Sequence, residues 1–201
     1  MVRVTSGLRE RKKLATRLAL HEAALRLVAE RGLEHVSVDD ITARADVSPR
    51  TFFNYFSSKD DAVLGLDPDA MHRQVQALHD RPAGESPVEA LRAVAMEQAL
   101  EMAGETELWP LRLTVIDAHP ALIGRLAAVF GEFERVMAEA IAERTGTRFG
   151  VDVYPTLLAG VAGVAMRTAL HRWHATDFTA SLPALVDEAW DALQAGLPAP
   201  R

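Results

Sequence analysis

Between Ser37 and Lys59 the chain sets out side chains suited to a nucleic-acid groove: Arg50, Thr51, Asn54 and Tyr55, directly after Ser48-Pro49. Arginine offers a two-pronged donor that fits the major-groove edge of guanine. Asparagine offers a donor and an acceptor together, and the two hydroxyls can reach phosphate or a base. Spacings of three and four residues bring such groups onto neighbouring turns of one helix. Ser48 is a good N-cap. Pro49 is a good first helical residue, because its missing N–H would be unpaired there anyway. Ahead of them, Ser37 with Asp40 three residues later resembles a capping box, and Val38, Ile41 and Ala45 form an inward stripe. Asp46-Val47 makes the turn. Helix, tight turn and helix is the arrangement that lays the second helix across base edges. Phe52 and Phe56, four apart, are the expected apolar anchors of that second helix.

Charge is distributed to match. The chain has 201 residues and a net charge of −6, which taken whole argues against a polyanion partner. Residues 1–60, however, hold 11 Lys and Arg against 8 Asp and Glu, a balance of +3, while the rest holds 11 against 20, a balance of −9. Lys12, Lys13 and Lys59 are its only lysines, and all lie in the first part. A basic end on an acidic body points to a DNA-facing head at 1–60 and a separate domain at 61–201. No cysteine is present, so disulfides, thiolate metal sites and Cys nucleophiles are excluded. The N-terminus lacks the apolar core of a signal peptide, and no apolar run is expected to be long enough for a bilayer. The expected location is the cytoplasm, without a membrane partner.

Helical periodicity covers the whole chain, and the fold class expected is all-α with about nine helices. The first spans 10–31, with Leu20, Ala24, Leu27 and Val28 on one face and Gly32 as the stop. A fourth helix starts near Ser58, is interrupted around Gly65-Leu66-Asp67-Pro68, and resumes to His79; it would be the mechanical link from head to body. Further helices are expected over 86–103, 108–118, 120–144, 152–174 and 181–195.

Gly32-Leu33, Ser37-Val38-Asp39-Asp40-Ile41, Val47-Ser48, Thr51-Phe52-Phe53, Tyr55-Phe56 and Ser58-Lys59-Asp60 together resemble the signature of the tetracycline-repressor (TetR/AcrR) family of bacterial regulators. The resemblance implies a two-part, homodimeric transcription factor, usually a repressor, released from an operator by a small ligand in its C-terminal body. Carried over position by position, it places Thr51 on phosphate or a base, Tyr55 on phosphate where the family often has histidine, and Lys59 on phosphate at the start of the fourth helix. Phe53 stands in place of a tyrosine that often reaches DNA. It lacks the hydroxyl but can touch a thymine methyl. Arg50 replaces a small residue, and Arg44 would meet the DNA backbone. Ser37, Ser48 and Pro49 complete the expected interface with Lys12 and Lys13. The segment from His119-Pro120 to Thr147 is similar to a mycofactocin-regulator-like branch with acyl-coenzyme-A-type ligands.

In the body, Phe130, Phe133 and Met137 lie along the long helix and could line a ligand cavity with Met96, Met102, Trp109 and Met166, since methionine adapts to irregular shapes. Packing of a plain core explains the same stripe. Arg112, Arg125 and Arg167 could meet an anionic ligand end, or serve as solvated surface. Residues 152–174 are apolar on nearly every face, which in a small subunit calls for a partner on the outer side. Leu157, Gly160, Val161, Val164 and Thr168, joined by Leu182, Val186 and Trp190 of the last helix, form the expected twofold interface. His171, His174 and Asp177 lack further ligands, so no metal and no cofactor are expected. Motifs of nucleophilic or metal-dependent enzymes and phosphate-cradling glycine loops are missing, so no enzyme is expected. The alternative to a regulator is a helical ligand-binding or adaptor protein with a non-functional DNA head.

Overall fold

The computed structural model describes residues 8–67, 69–104 and 108–197, and of residues 8–10 only the backbone. Among these it contains ten α-helices and one short 3₁₀ turn, Leu33–His35, with no strand. The helices are α1 Leu8–Arg31, α2 Val38–Arg44, α3 Pro49–Phe52, α4 Lys59–Leu64, α5 Ala70–His79, α6 Pro87–Ala103, α7 Trp109–Ala118, α8 Pro120–Thr145, α9 Val153–Ala175 and α10 Leu182–Gln194.

Hydroxyl caps start several of them. Ser37 accepts from the Asp40 amide while its own amide donates to the Asp40 carboxylate, so the expected capping box is present. Ser86 and Glu89 repeat it at α6, and Ser48, Ser58 and Ser181 cap α3, α4 and α10. The tenth helix arises where one interrupted helix was expected. Gly65 sits in the left-handed region at φ 64°, and the amides of Gly65 and Leu66 bond back to Ala62 and Asp61. That is a Schellman closure, which ends α4 outright. The same closure ends α2, with Asp46 at φ 53° in the left-handed position and Val47 bonding back to Thr42. Aspartate tolerates that conformation better than most residues, so the tight turn forms without glycine.

The chain divides into two compact units. One comprises Met1–Pro68 with Leu111–Leu126; the other comprises Asp69–Pro110 with Ala127–Arg201. The division therefore does not follow the boundary expected at residue 60. Helix α4 packs on α1 inside the first unit, so it is part of the head instead of a long link. The first unit also takes in a segment of the middle of the chain. Its core is the stripe foreseen on α1, Leu20, Ala24, Leu27 and Val28, closed by Ile41, Phe52, Phe56 and Val63, all buried.

In the second unit α10 packs on both α9 and α6. Its core includes Leu91, Val94, Ile141, Trp173, Val186 and Trp190. The apolar face of α10 is therefore spent within the subunit. Leu182, Val186 and Trp190 are 1%, 0% and 1% exposed, which corrects their expected place in a twofold interface. Arg92 of α6 fixes the outer edge of α10 by bonding Asp187, Asp191 and Gln194. The expectation that no apolar run reaches membrane length is also corrected: the 23 residues of α9 are long and apolar enough by composition. That helix nonetheless packs on α10 and α6, and its Arg172 pairs with Glu188.

The burial pattern of α3 has a direct consequence for stability. Phe52→Ala empties a fully buried site and is expected to cost about 3–5 kcal/mol, whereas Phe53→Ala on the exposed side should stay within roughly 0.5 kcal/mol. Urea unfolding of both variants checks this.

Candidate nucleic-acid interface

Helix α3 has four residues followed by a turn, and one side of it is fully committed to the core. Phe52 is buried at 0% exposure and leans on Phe56, with ring centroids 5.9 Å apart. At about 100° per helical residue, burying Phe52 and Phe56 turns Arg50, Phe53 and Asn54 outward. All three are exposed, and among the described residues Arg50 and Asn54 have no hydrogen-bond or ion-pair partner in their side chains. Phe53 is 60% exposed and meets Phe52 edge to face at 5.3 Å. Thr51 and Tyr55 are half-buried. The Ser48 hydroxyl accepts from the Thr51 amide at 3.1 Å and shares a hydrogen bond of 2.8 Å with the Thr51 hydroxyl. Ser48, Pro49, Arg50, Phe53 and Asn54 are thus exposed along one stretch, with Thr51 and Tyr55 half-buried among them. Lys12 and Lys13 are exposed on α1.

Three further candidates are engaged with other parts of the head. The Arg44 guanidinium bonds both carboxylate oxygens of Glu30 on α1, at 2.7 and 2.9 Å, and this pairing holds the Glu30 carboxyl below its usual range. The Ser37 hydroxyl is engaged with Asp40 and holds that carboxyl down in the same way. The Lys59 ammonium donates to the Leu33 carbonyl, tying α4 to the turn that follows α1. An ammonium has three N–H groups, so Lys59 keeps two for another acceptor.

The same unit holds a polar group that sequence reasoning missed. His21 on α1 is 2% exposed. Its Nδ1–H donates to the Ala62 carbonyl at 2.8 Å, and its Nε2 accepts from the Arg112 guanidinium at 2.7 Å. This set of partners specifies a neutral imidazole with the proton on Nδ1. Gly65 completes the packing, since a Cβ there would sit 2.4 Å from the Arg112 guanidinium and 2.8 Å from the His21 ring. Asp61, 5% exposed, accepts from Arg125 at 2.7 Å. Arg112 and Arg125, considered earlier for an anionic ligand, therefore have partners inside the head unit, and Arg167 pairs with Glu134 at 2.7 Å. Nothing in the local sequence marks His21 or Asp61, because their partners lie far along the chain.

Of the other cavity candidates, Trp109 and Met137 belong to the core of the second unit, with Met96, Met102, Phe133 and Met166 packed against it. The Trp109 indole donates to the Met102 carbonyl at 3.3 Å and stands 5.8 Å from the Trp173 ring. Phe130 is half-buried outside that cluster. On α9, Val153, Leu157 and Val164 are 75%, 60% and 51% exposed and line an open groove with Gly160 and Val161. Thr168 is exposed on the same helix.

A head with a capped short helix across a tight turn, joined to a helical body, is the architecture of a one-component DNA-binding regulator. A family model described as bacterial regulatory proteins, tetR family, matches residues 20–64, and one described as the MftR C-terminal domain matches residues 85–198. The chain is 32% identical to the HTH-type transcriptional regulator TcmR of Streptomyces glaucescens over 199 residues, spanning 94% of this chain and 87% of that protein. Among solved structures, the SmeT–triclosan complex superposes with a TM-score of 0.59 at 21% identity, covering 93% of this chain and 99% of that one. FadR of Bacillus subtilis in complex with stearoyl-CoA superposes with a TM-score of 0.55 at 19% identity, covering 90% and 99%. The chain belongs to the TetR family of DNA-binding transcriptional regulators.

His21 gives this head a pH signature. Burial, with the Arg112 charge adding to it, lowers its pKa from 6.5 to about 3. The folded chain holds the ring neutral, while the unfolded chain takes up a proton as pH falls below about 6.5. Stability is therefore lost as pH falls from about 6.5 toward 3, and above that range this group adds no pH dependence. The urea midpoint should drop between about pH 7 and pH 5. It should drop less in His21→Gln, whatever that variant loses at neutral pH.

Proposed function

We propose that the chain is a ligand-responsive repressor that binds a pseudo-palindromic operator as a homodimer and leaves it when a small apolar or amphipathic effector occupies the C-terminal body. The observation that carries the DNA-facing part is the Ser48–Tyr55 edge, where unpartnered Arg50 and Asn54 stand outward while Phe52 is fully buried. Arg50 and Asn54 read base edges. Lys12, Lys13, Thr51, Tyr55 and the two unused donors of Lys59 bind phosphate, which makes affinity fall with salt. Such a chain works where the DNA is, in the cytoplasm of a bacterium.

The outer face of α9 supports the twofold. Val153, Leu157 and Val164 are large apolar side chains left mostly in solvent, and a contiguous patch of that kind marks an interaction surface. With α10 turned inward, the contact rests on Leu157, Gly160, Val161, Val164 and Thr168. A twofold of this kind presents two heads to two half-sites. The effector acts only as far as it binds the released state better than the DNA-bound one. The stearoyl-CoA bound by FadR, together with the resemblance of the segment His119–Thr147 to a branch with acyl-coenzyme-A-type ligands, favours an acyl-coenzyme-A-like molecule as effector.

Two outcomes are expected. In fluorescence anisotropy with a selected operator, Arg50→Ala should weaken binding by about 1–3 kcal/mol and relax selectivity at one base pair per half-site. An adaptor with an idle head would show no selective duplex binding and no effect of this substitution. In sedimentation equilibrium, Leu157→Asp should shift the chain from dimer toward monomer, because a carboxylate would be buried without a partner.

A further inference from the structure

Gly160 is the residue of α9 that its own subunit does not explain. A glycine inside a helix weakens it, because it has more backbone freedom to lose than alanine and no side chain to pack. Gly163 has a local reason. A Cβ there would sit 2.5 Å from the Glu134 carboxylate and 3.1 Å from the Arg167 guanidinium, which pair beside it at 2.7 Å. At Gly160 a Cβ would meet nothing within 4 Å among the described residues. Its bare backbone lines the open groove with the exposed side chains of Val153, Leu157 and Val164.

The groove is also polar along its length. Asp152 lines it at the N-terminal end of α9, and Arg167 lines it toward the C-terminal end. Val153 and Arg167 each stand seven residues from Gly160, on opposite sides. At about 100° per residue both fall within about 20° of its direction. A second α9 laid antiparallel over Gly160 brings each residue opposite the one equally far along on the other side. Thr156 then meets the partner's Val164, Val153 meets the stem of the partner's Arg167, and that guanidinium lies beside Asp152. The Asp152 carboxylate accepts from the Arg148 amide at 2.7 Å and has room for a further donor, while Arg167 gives Glu134 one of its five N–H groups. A parallel pairing would set Arg167 on Arg167 and Asp152 on Asp152, and would align the two helix dipoles.

We propose that two copies of α9 cross antiparallel at Gly160, on the twofold axis, and that the match of Asp152 with the partner's Arg167 restricts pairing to chains with the same order of charge along this face. The proposal rests on the homodimer reading and adds to it the crossing point, the direction and the means of choosing a partner.

The test uses the full chain, whose lack of cysteine lets introduced thiols report the register. Under mild oxidation Gly160→Cys should join two copies, since a disulfide needs Cα atoms about 4.4–6.8 Å apart. Should that thiol hold the helices apart, Thr156→Cys with Val164→Cys in one chain should join them. Val153→Cys should not, because its two copies would stand roughly 20 Å apart across the axis. In sedimentation equilibrium, Arg167→Glu and Asp152→Arg should each dimerise about tenfold more weakly. An equimolar mixture of the two should recover the loss as a heterodimer, in which both contacts are again of opposite sign. Unchanged helicity by circular dichroism will confirm that the variants are folded. Val153→Cys joining with itself, or neither of the other thiol variants joining while the unaltered chain sediments as a dimer, overturns the crossing and leaves the homodimer reading intact. A mixture no tighter than its components overturns the choice of partner by charge. An unaltered chain that stays monomeric at every concentration overturns both readings.

Discussion

The burial of Phe52 governs what the head can do. A helix as short as α3 has no stability of its own, because helix nucleation costs more than one or two hydrogen bonds return. It exists because the Ser48 cap satisfies its first amides and because Phe52 and Phe56 fill a slot in the core built by α1 and α2. That packing sets rotation as well as position. A slip of one residue would turn α3 by about 100°, place Phe53 in the core, and carry Arg50 and Asn54 off the outer edge. The chemistry on display is therefore a by-product of an apolar decision made on the other side of the helix.

A second constraint is electrostatic. His21 and Asp61 put polar groups into the head's interior, where each needs a hydrogen-bond partner, and the half-buried Arg112 and the exposed Arg125 supply them. The pairs His21–Arg112 and Asp61–Arg125 meet that requirement across long stretches of sequence. They attach the segment Leu111–Leu126 to the unit that carries the Ser48–Tyr55 edge. Gly65 belongs to the same arrangement, because both its left-handed backbone and the crowding of His21 and Arg112 around it demand a residue without a side chain.

Local signals were legible in the sequence, and long-range ones were not. Ser37 with Asp40, Ser48 with Pro49, and the four-residue spacing of Phe52 and Phe56 act within one turn of helix, so the order of residues contains them. Leu20, Ala24, Leu27 and Val28 were visible as a stripe for the same reason. The break at Gly65 showed as an interruption, but a Schellman closure depends on which carbonyls the next amides find. On α9 and α10, periodicity shows which positions are apolar without showing which apolar face meets its own subunit. Leu182, Val186 and Trp190 fit an outward face equally well by periodicity, and the packing of α10 on α6 and α9 turns them inward. Glu30 and Leu33 are invisible as partners of Arg44 and Lys59 because those contacts are tertiary.

Family membership supplies the class of partner, a DNA duplex, and the fold supplies the edge that would meet it. The absence of cysteine from the chain makes a direct test simple. Asn54→Cys introduces a single thiol on that edge, to which a chelated iron that cleaves nearby DNA can be coupled. On a selected operator, strand cleavage should fall in two clusters, one per half-site, with major-groove offsets and centres separated by about one helical turn or a multiple of it. A single cluster, or cleavage no stronger than that from the same reagent placed at Leu100→Cys, an exposed position of the second unit, would contradict the account.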